Sequence, residues 1–292
     1  MKTVKNPNRF EVHDFEGKSV LITGSSSGIG AAMCFEVARR GARRVVMLSR
    51  DSSGMERVRE RIVKELDGWD GVIEVCACDL SSSSDRQAVV RGVLSRGSVD
   101  ILVNNAGYSQ RAGFSDLGEG GVRDMFEVNF FAGVDIMGMC LPGMREGKGA
   151  VVWVSSVQGL LPLPGRSGYS ASKHAVNGFA GSVRAELEGE VDVVVVNPGY
   201  VRTNLSVNAV GEGGKKWGRR DVTTARGMDP RLLVRSVCDS FEAGERDIGV
   251  NWDWKTRVGL WLRFLAPRVY DGIMEKRWRK EKTKEAGEGK QD

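Results

Sequence analysis

The sequence predicts an α/β fold: a doubly wound parallel sheet of about seven strands with helices on both faces, in a single domain. Three observations predict it. Short apolar runs rich in β-branched residues alternate with helical patterns of 10 to 25 residues along most of the chain, and repeated β-α-β order implies parallel pairing with helical crossovers. Most of the runs lack period-two alternation, as strands covered on both faces do. No repeat of fixed period and no long linker divides the 292 residues, a length that suits one large α/β unit.

The strands are expected at "SVLIT" (19–23), "RVVMLS" (44–49), "VIEVCACD" (72–79), "DILVNN" (100–105), "AVVWVSS" (150–156), "VDVVVVN" (191–197) and "DIGVN" (247–251). The third of these reads as a buried strand. Helical patterns fill 29–40, 53–67, 85–96, 121–145, 169–188 and 229–243 between them. Residues 1–16 read as an N-terminal extension, 17–254 as the nucleotide-binding and catalytic domain, and 255–292 as a basic, aromatic tail. The stretch "GEGGKKWGRRD" (211–221) is rich in glycine and charge, which predicts a mobile surface loop.

Charge and cysteine content narrow the function classes. The formal net charge is +5. Residues 255–292 hold eleven Lys/Arg against six Asp/Glu, and the other 254 residues hold 32 of each. The basic character therefore belongs to the tail, which argues against a nucleic-acid-binding body. Five cysteines without framework spacing suit reduced thiols, and two histidines leave little for a metal site at Cys76 and Cys78. The N-terminal "MKTVKNPNRFEVHDFEGK" has no apolar core for a secretory signal. No run approaches the roughly 18 to 20 apolar residues that span a bilayer. A cytoplasmic protein, or one on the cytosolic face of an intracellular membrane, is expected.

The first strand is followed by Gly24-Ser25-Ser26-Ser27-Gly28-Ile29-Gly30 and then a helix. Glycines permit the tight turn and a close approach of backbone to a pyrophosphate, and the helix N-terminus adds amide donors and a positive dipole end. The spacing G-x-x-x-G-x-G departs from the usual G-x-G-x-x-G. A Rossmann-type nucleotide site is the expectation. The second strand ends "MLSRD", with Ser49 and Arg50 where NAD-preferring sites commonly hold an acid. Arg50 suits a 2′-phosphate and so NADP(H) over NAD(H), with Asp51 one residue further on. In "YSASK", Tyr169 and Lys173 are four apart, one turn along a helix face.

The ordered set "TGSSSGIG" (23–30), "CDL" (78–80), "NNAG" (104–107), "EVNFFAG" (127–133), "VSSVQG" (154–159), "YSASK" (169–173) and "NPGYVRT" (197–203) resembles the short-chain dehydrogenase/reductase family over about residues 17 to 250. A narrower likeness, in "SGYSASKHAVNGF", "NPGYVRTNLSVNA" and "LRFLAP", is to the family's member 7 subgroup and its B form.

The resemblance implies roles by motif. Tyr169 would be the general acid/base and Lys173 its activator, lowering the phenol's pKa. Ser156, thirteen residues before Tyr169, would bond the substrate oxygen, leaving Ser155 structural. Asn129 would hold a water in a proton relay to Lys173. Gly24, Ser25, Ser26, Ser27, Gly28, Ile29, Gly30 and Arg50 would bind the nucleotide phosphates. Asp79 and Leu80 would meet the adenine, and Asn105, Ala106 and Gly107 would wall its ribose. Pro198, Gly199, Val201 and Thr203 would hold the nicotinamide side. His174 would face away.

Such a site implies hydride transfer between NADP(H) and a carbonyl or alcohol. Leu160, Leu161, Leu163, Tyr200 and Leu205 are candidates for an apolar lining, which suits a lipid-, steroid- or retinoid-like substrate. A second reading is a lipid reductase on a membrane surface, such as an acyl- or alkyl-dihydroxyacetone-phosphate reductase, with Arg166, Lys215 or Lys216 meeting the phosphate. A third is an NADP(H)-binding regulator without turnover. The tail (256–284) holds Trp261, Phe264, Tyr270 and Trp278 among basic residues. It suits either a helix on an anionic membrane surface or one packed on its own domain or a partner copy. A homo-oligomer is expected.

Overall fold

The computed structural model describes residues 13–288. Residues 1–12 of the expected extension, and residues 289–292 of the tail, lie outside the described residues. Chain order is β1 (Ser19–Thr23), α1 (Gly28–Arg39), β2 (Arg44–Ser49), α2 (Ser52–Glu65), β3 (Val72–Ala77), α3 (Ser83–Leu94) and β4 (Ile101–Asn104). Then come α4 (Gly121–Phe126), a π-helical turn (Glu127–Phe131), α5 (Ala132–Gly147), β5 (Ala150–Val154), α6 (Ser167–Glu186) and β6 (Asp192–Pro198). The chain continues through α7 (Val222–Ala225), α8 (Pro230–Glu242), β7 (Asp247–Val250), α9 (Trp254–Leu265) and α10 (Pro267–Glu288).

The seven strands form one sheet in the order β3-β2-β1-β4-β5-β6-β7, with every pairing parallel. Adjacent strand residues face opposite layers. Val20 and Ile22 of β1 meet Met33 and Val37 of α1 and Leu233 and Val237 of α8 on one face. Leu21 joins Val90 of α3, Ile136 and Cys140 of α5, and Val176 and Ala180 of α6 on the other. Burial on both faces explains the missing alternation, and each such Val or Leu contributes about 1.5–3 kcal/mol.

Three features depart from the sequence expectation. β3 is an edge strand, partly exposed along its length. Its apolar run reads as buried because an edge strand still needs one covered face, while Glu74 on it pairs with Arg44 and Arg96. The helical pattern at 121–145 is interrupted by the π-helical turn. The stretch 121–147 is long and apolar enough to cross a membrane by composition, but Ala132, Ile136, Met137, Cys140 and Met144 are buried against the sheet. The segment 211–221, expected to be a mobile loop, is folded back on its neighbours. Gly211 N donates to Lys215 O at 2.7 Å, Trp217 N to Ala209 O at 2.8 Å, and Asp221 pairs with Arg111.

Strand order reverses between β1 and β4, and their carboxyl ends open the crevice in which such sheets bind ligands.

Candidate active site

A cavity of about 910 Å³ lies over that crevice. The glycine turn after β1 forms its floor. Gly24 has φ +67°, and a Cβ there would stand 2.9 Å from Ala106 Cα. A Cβ on Gly30 would fall on the Gly24 carbonyl oxygen and 2.6 Å from the Asn105 amide nitrogen. Asn105 braces the turn, its Nδ2 donating to Thr23 O at 2.9 Å. Ser27, the N-cap of α1, has extended backbone and no side-chain cap bond, and no acid occupies the first turn. The leading amides and dipole end of α1 are therefore open to an anion. A dinucleotide pyrophosphate fits this cradle.

Most of the expected cofactor residues line the cavity: Gly24, Ser26, Ser27, Gly28, Ile29, Arg50, Asp79, Leu80, Asn105, Ala106, Gly107, Tyr169, Lys173 and Thr203. Ser25 does not. Its hydroxyl donates to Leu48 O, buried under the turn. Gly30 supplies clearance from behind. Pro198, Gly199 and Val201 also stand back from the cavity. Gly199 is hydrogen-bonded to Val250 O at 2.9 Å and Val201 is buried in a bridge with Met228. The chain reaches the cavity only at Thr203, whose methyl lies 3.2 Å from where a Gly28 Cβ would be.

Asp79 faces the cavity with its carboxyl held below the ordinary range by the Ser81 amide (3.1 Å) and hydroxyl (2.8 Å). At the end of β2, Asp51 is engaged elsewhere: its Oδ1 accepts from Gly54 N and Ser53 Oγ, both at 2.8 Å, as the cap of α2. Ser49 Oγ bonds Ser26 Oγ at 3.0 Å, so Arg50 is the charged group that β2 presents to the cavity.

Tyr169 and Lys173 are buried one turn apart in α6. Lys173 Nζ donates to Val154 O at 2.8 Å and lies 5.9 Å from the centre of the Tyr169 ring. Burial pushes the lysine down to about 8. The phenol of Tyr169 is raised above its ordinary value. The expected lowering is overridden because burial outweighs the Ser156 hydrogen bond and the charges of Arg111 and Arg166. Ser156 closes the end of β5 beside that phenol and accepts from Gln158 N at 3.1 Å. Ser155 Oγ donates to Lys173 O at 3.2 Å, bracing α6. His174 is structural, with Nδ1 2.8 Å from Ser170 O.

The π-helical turn carries Asn129 inward. Its Nδ2 donates to Tyr108 O and Ser172 Oγ, both at 3.0 Å, and its Oδ1 accepts from Tyr108 N at 3.0 Å. A Cβ on Gly107 would lie 3.0 Å from Asn129 Oδ1 and 3.6 Å from Lys173 Nζ. Asn129 and Lys173 thus share one small space behind Gly107.

Sequence reasoning missed Tyr108, which follows "NNAG", lines the cavity and is pushed up to about 12 by burial. Its signal was position alone. Of the expected apolar lining, Leu205 faces the cavity, whereas Leu160, Leu161, Leu163 and Tyr200 do not. Lys216 lines the cavity; Lys215 and Arg166 do not. Arg166 is drawn down to about 10 by burial and by Arg111, with Asp221 between the two guanidiniums. Among the described residues no group of three His, Cys, Asp or Glu side chains is placed to hold a metal ion.

Comparison with known proteins agrees with this geometry. Residues 18–212 match the family model of short chain dehydrogenases. The chain is 37% identical to a Drosophila melanogaster dehydrogenase/reductase SDR family protein 7-like over 92% of its length and 84% of the relative's. It is 35% identical to the Danio rerio dehydrogenase/reductase SDR family member 7B over 93% and 89%. A solved short-chain dehydrogenase from Sphingobium yanoikuyae, in complex with NADPH, superposes with a TM-score of 0.72 at 28% identity, over 88% of this chain and 95% of that one. The chain belongs to the short-chain dehydrogenase family of oxidoreductases.

Proposed function

We propose that the protein is an NADP(H)-dependent carbonyl reductase acting on an apolar ketone or the corresponding alcohol. The observation that carries it is the buried Tyr169–Lys173 pair opening on the glycine-floored cavity, with Ser156 behind the lining and hydrogen-bonded to the Tyr169 phenol. The bound nicotinamide would supply the hydride. Ser156 and Tyr169 together hold the substrate oxygen and polarise its carbonyl. Tyr169, kept protonated by burial, donates its proton as the oxygen gains charge, and so favours reduction. Lys173, whose proton is loosely held near neutral pH, re-protonates the tyrosine, with Asn129 beside it behind Gly107.

Preference for NADP(H) is supported by Arg50 at the cavity edge and by Asp51's engagement as the α2 cap. Arg50 can pair with a 2′-phosphate, and Asp51's Oδ1 is occupied by other donors. Leu205 supports an apolar substrate. The five unpaired cysteines, four of them buried, support a reducing compartment such as the cytosol.

A panel of aliphatic, steroid and aromatic ketones, followed by loss of NADPH or NADH absorbance, tests this reading. Turnover with NADPH, abolished by Tyr169→Phe while NADPH still binds, is the expected result. A general acid contributes ~10²–10⁴-fold. Full activity in that variant would remove the assignment, and stable NADPH binding without turnover of any ketone or alcohol would favour a regulator.

A further inference from the structure

The tail is two helices with opposite surroundings. α10 lies on its own domain. Tyr270 is buried and donates to Pro162 O at 2.8 Å, and Trp278 lies 3.1 Å from where a Gly165 Cβ would be and 3.4 Å from one at Gly113. α9 has no buried residue. Fourteen large apolar side chains are exposed among the described residues, and half of them fall within 254–273. That concentration marks a built surface rather than scattered apolar exposure.

The periodicity of α9 shows how it is built. At 100° per residue, Trp254, Val258, Trp261 and Leu265 share an arc of about 60°. Trp254 is 69% exposed, Trp261 67% and Leu265 69%. The opposite face, at Gly259, rests on Leu161, whose Cδ1 lies 3.3 Å from the position of a Gly259 Cβ. The helix therefore turns its apolar stripe outward, the reverse of a helix serving a core. Val269 and Ile273 of α10 are exposed as well.

The charge around the stripe names the occupant. Lys255 and Arg257 flank it on either side and are exposed, and Arg263 and Arg268 follow within 253–268. The single acid of that segment, Asp253, is occupied in capping α9 through Thr256 N at 2.8 Å. An outward row of tryptophan and leucine edged by basic residues complements an anionic lipid surface, where indoles sit at the headgroup boundary and each nearby Lys or Arg contributes about 1 kcal/mol.

We propose that α9 docks the protein on an anionic membrane, with Trp254, Val258, Trp261 and Leu265 entering the headgroup layer and Lys255 and Arg257 meeting lipid phosphates. The inner face of α9 rests on the loop that joins Ser156 to Tyr169, so docking brings that loop to the bilayer. Docking needs no turnover, and its test stands apart from the proposed reaction.

Flotation of the full chain with vesicles of phosphatidylcholine alone, and with added phosphatidylserine, tests it. Wild type should float with the serine-containing vesicles and less so at high salt. Trp261→Glu/Leu265→Glu should weaken vesicle affinity at least about tenfold with an unchanged melting temperature, since these side chains are exposed. Lys255→Glu/Arg257→Glu should erase the preference for anionic lipid, about thirtyfold for two charges at ~1 kcal/mol each. Unchanged flotation of the first variant would overturn the proposal. So would a wild-type dimer in sedimentation that binds no vesicle and that Trp261→Glu/Leu265→Glu splits, because a second copy would then be the occupant.

Discussion

The floor and the roof of the cavity are held by different means. The floor is backbone. Gly24, Gly28 and Gly30 come so close to Ala106, Thr203 and each other that a Cβ has no room at two of the three positions. Asn105 locks the turn through main-chain carbonyls. The roof, from Thr203 to Arg226, is held by side chains and thin bridges: Arg111 with Asp221, Val210 with Gln110, Val201 with Met228. A floor set by backbone suits a ligand that never changes, and a roof set by side chains can be altered without disturbing the sheet. On the proposed reading the cofactor would lie on the first, and the substrate would meet the second.

Four experiments would break or sharpen that contrast, the largest effect first. Gly30→Val puts three carbons where the Gly24 carbonyl stands, and overpacking of this kind costs about 1–3 kcal/mol or more. NADPH binding, measured by fluorescence titration, should fall below detection. Retained affinity would mean that the floor is softer than the geometry states. Arg50→Asp should lower NADPH affinity roughly 10- to 100-fold, the value of a charge-assisted bond to a phosphate, and should spare NADH. An equal loss of both cofactors would show that Arg50 does not read the 2′-phosphate.

Arg111→Ala acts on the roof. Asp221 keeps only the longer contact to Arg166 at 3.5 Å, and breaking a buried pair costs up to 3–5 kcal/mol. KM for the carbonyl should rise several-fold, with KM for NADPH nearly constant. Parallel rises in both would unite floor and roof into one rigid body. The smallest effect is on stability. Lys173 is protonated in the unfolded chain up to its ordinary value, but in the fold only up to about 8. The unfolded state therefore binds more protons between these values, and stability climbs with pH across that window. Lys173→Met removes the penalty. Its melting temperature should exceed that of wild type below pH 8, by the equivalent of about 1–2 kcal/mol after the lost Val154 bond, and the gain should shrink toward pH 10. A gain independent of pH would show the lysine is not penalised by burial.

The same contrast governs what was legible. The turn after β1, the ends of β4 and β5, and Tyr169 with Lys173 all lie on short, periodic elements, so their spacing places them. Asn129 was legible as a residue, but not the π-helical turn that points it inward. Over the roof the reading failed more often: four of the five expected lining residues face elsewhere, three of them in the 158–168 loop, which α9 and α10 cover from outside. No local pattern announces where a distant helix will lie.

By itself the sequence determined the strand order along the chain, the glycine turn and the helical register of the catalytic pair, since each follows from periodicity of a few residues and from the sterics of glycine. Only the tertiary structure decided which strand became an edge, which way Tyr169 titrates, and which tail helix is covered. Those depend on burial: the loss of water around a phenol, a thiol or an indole is set by neighbours far away in the chain.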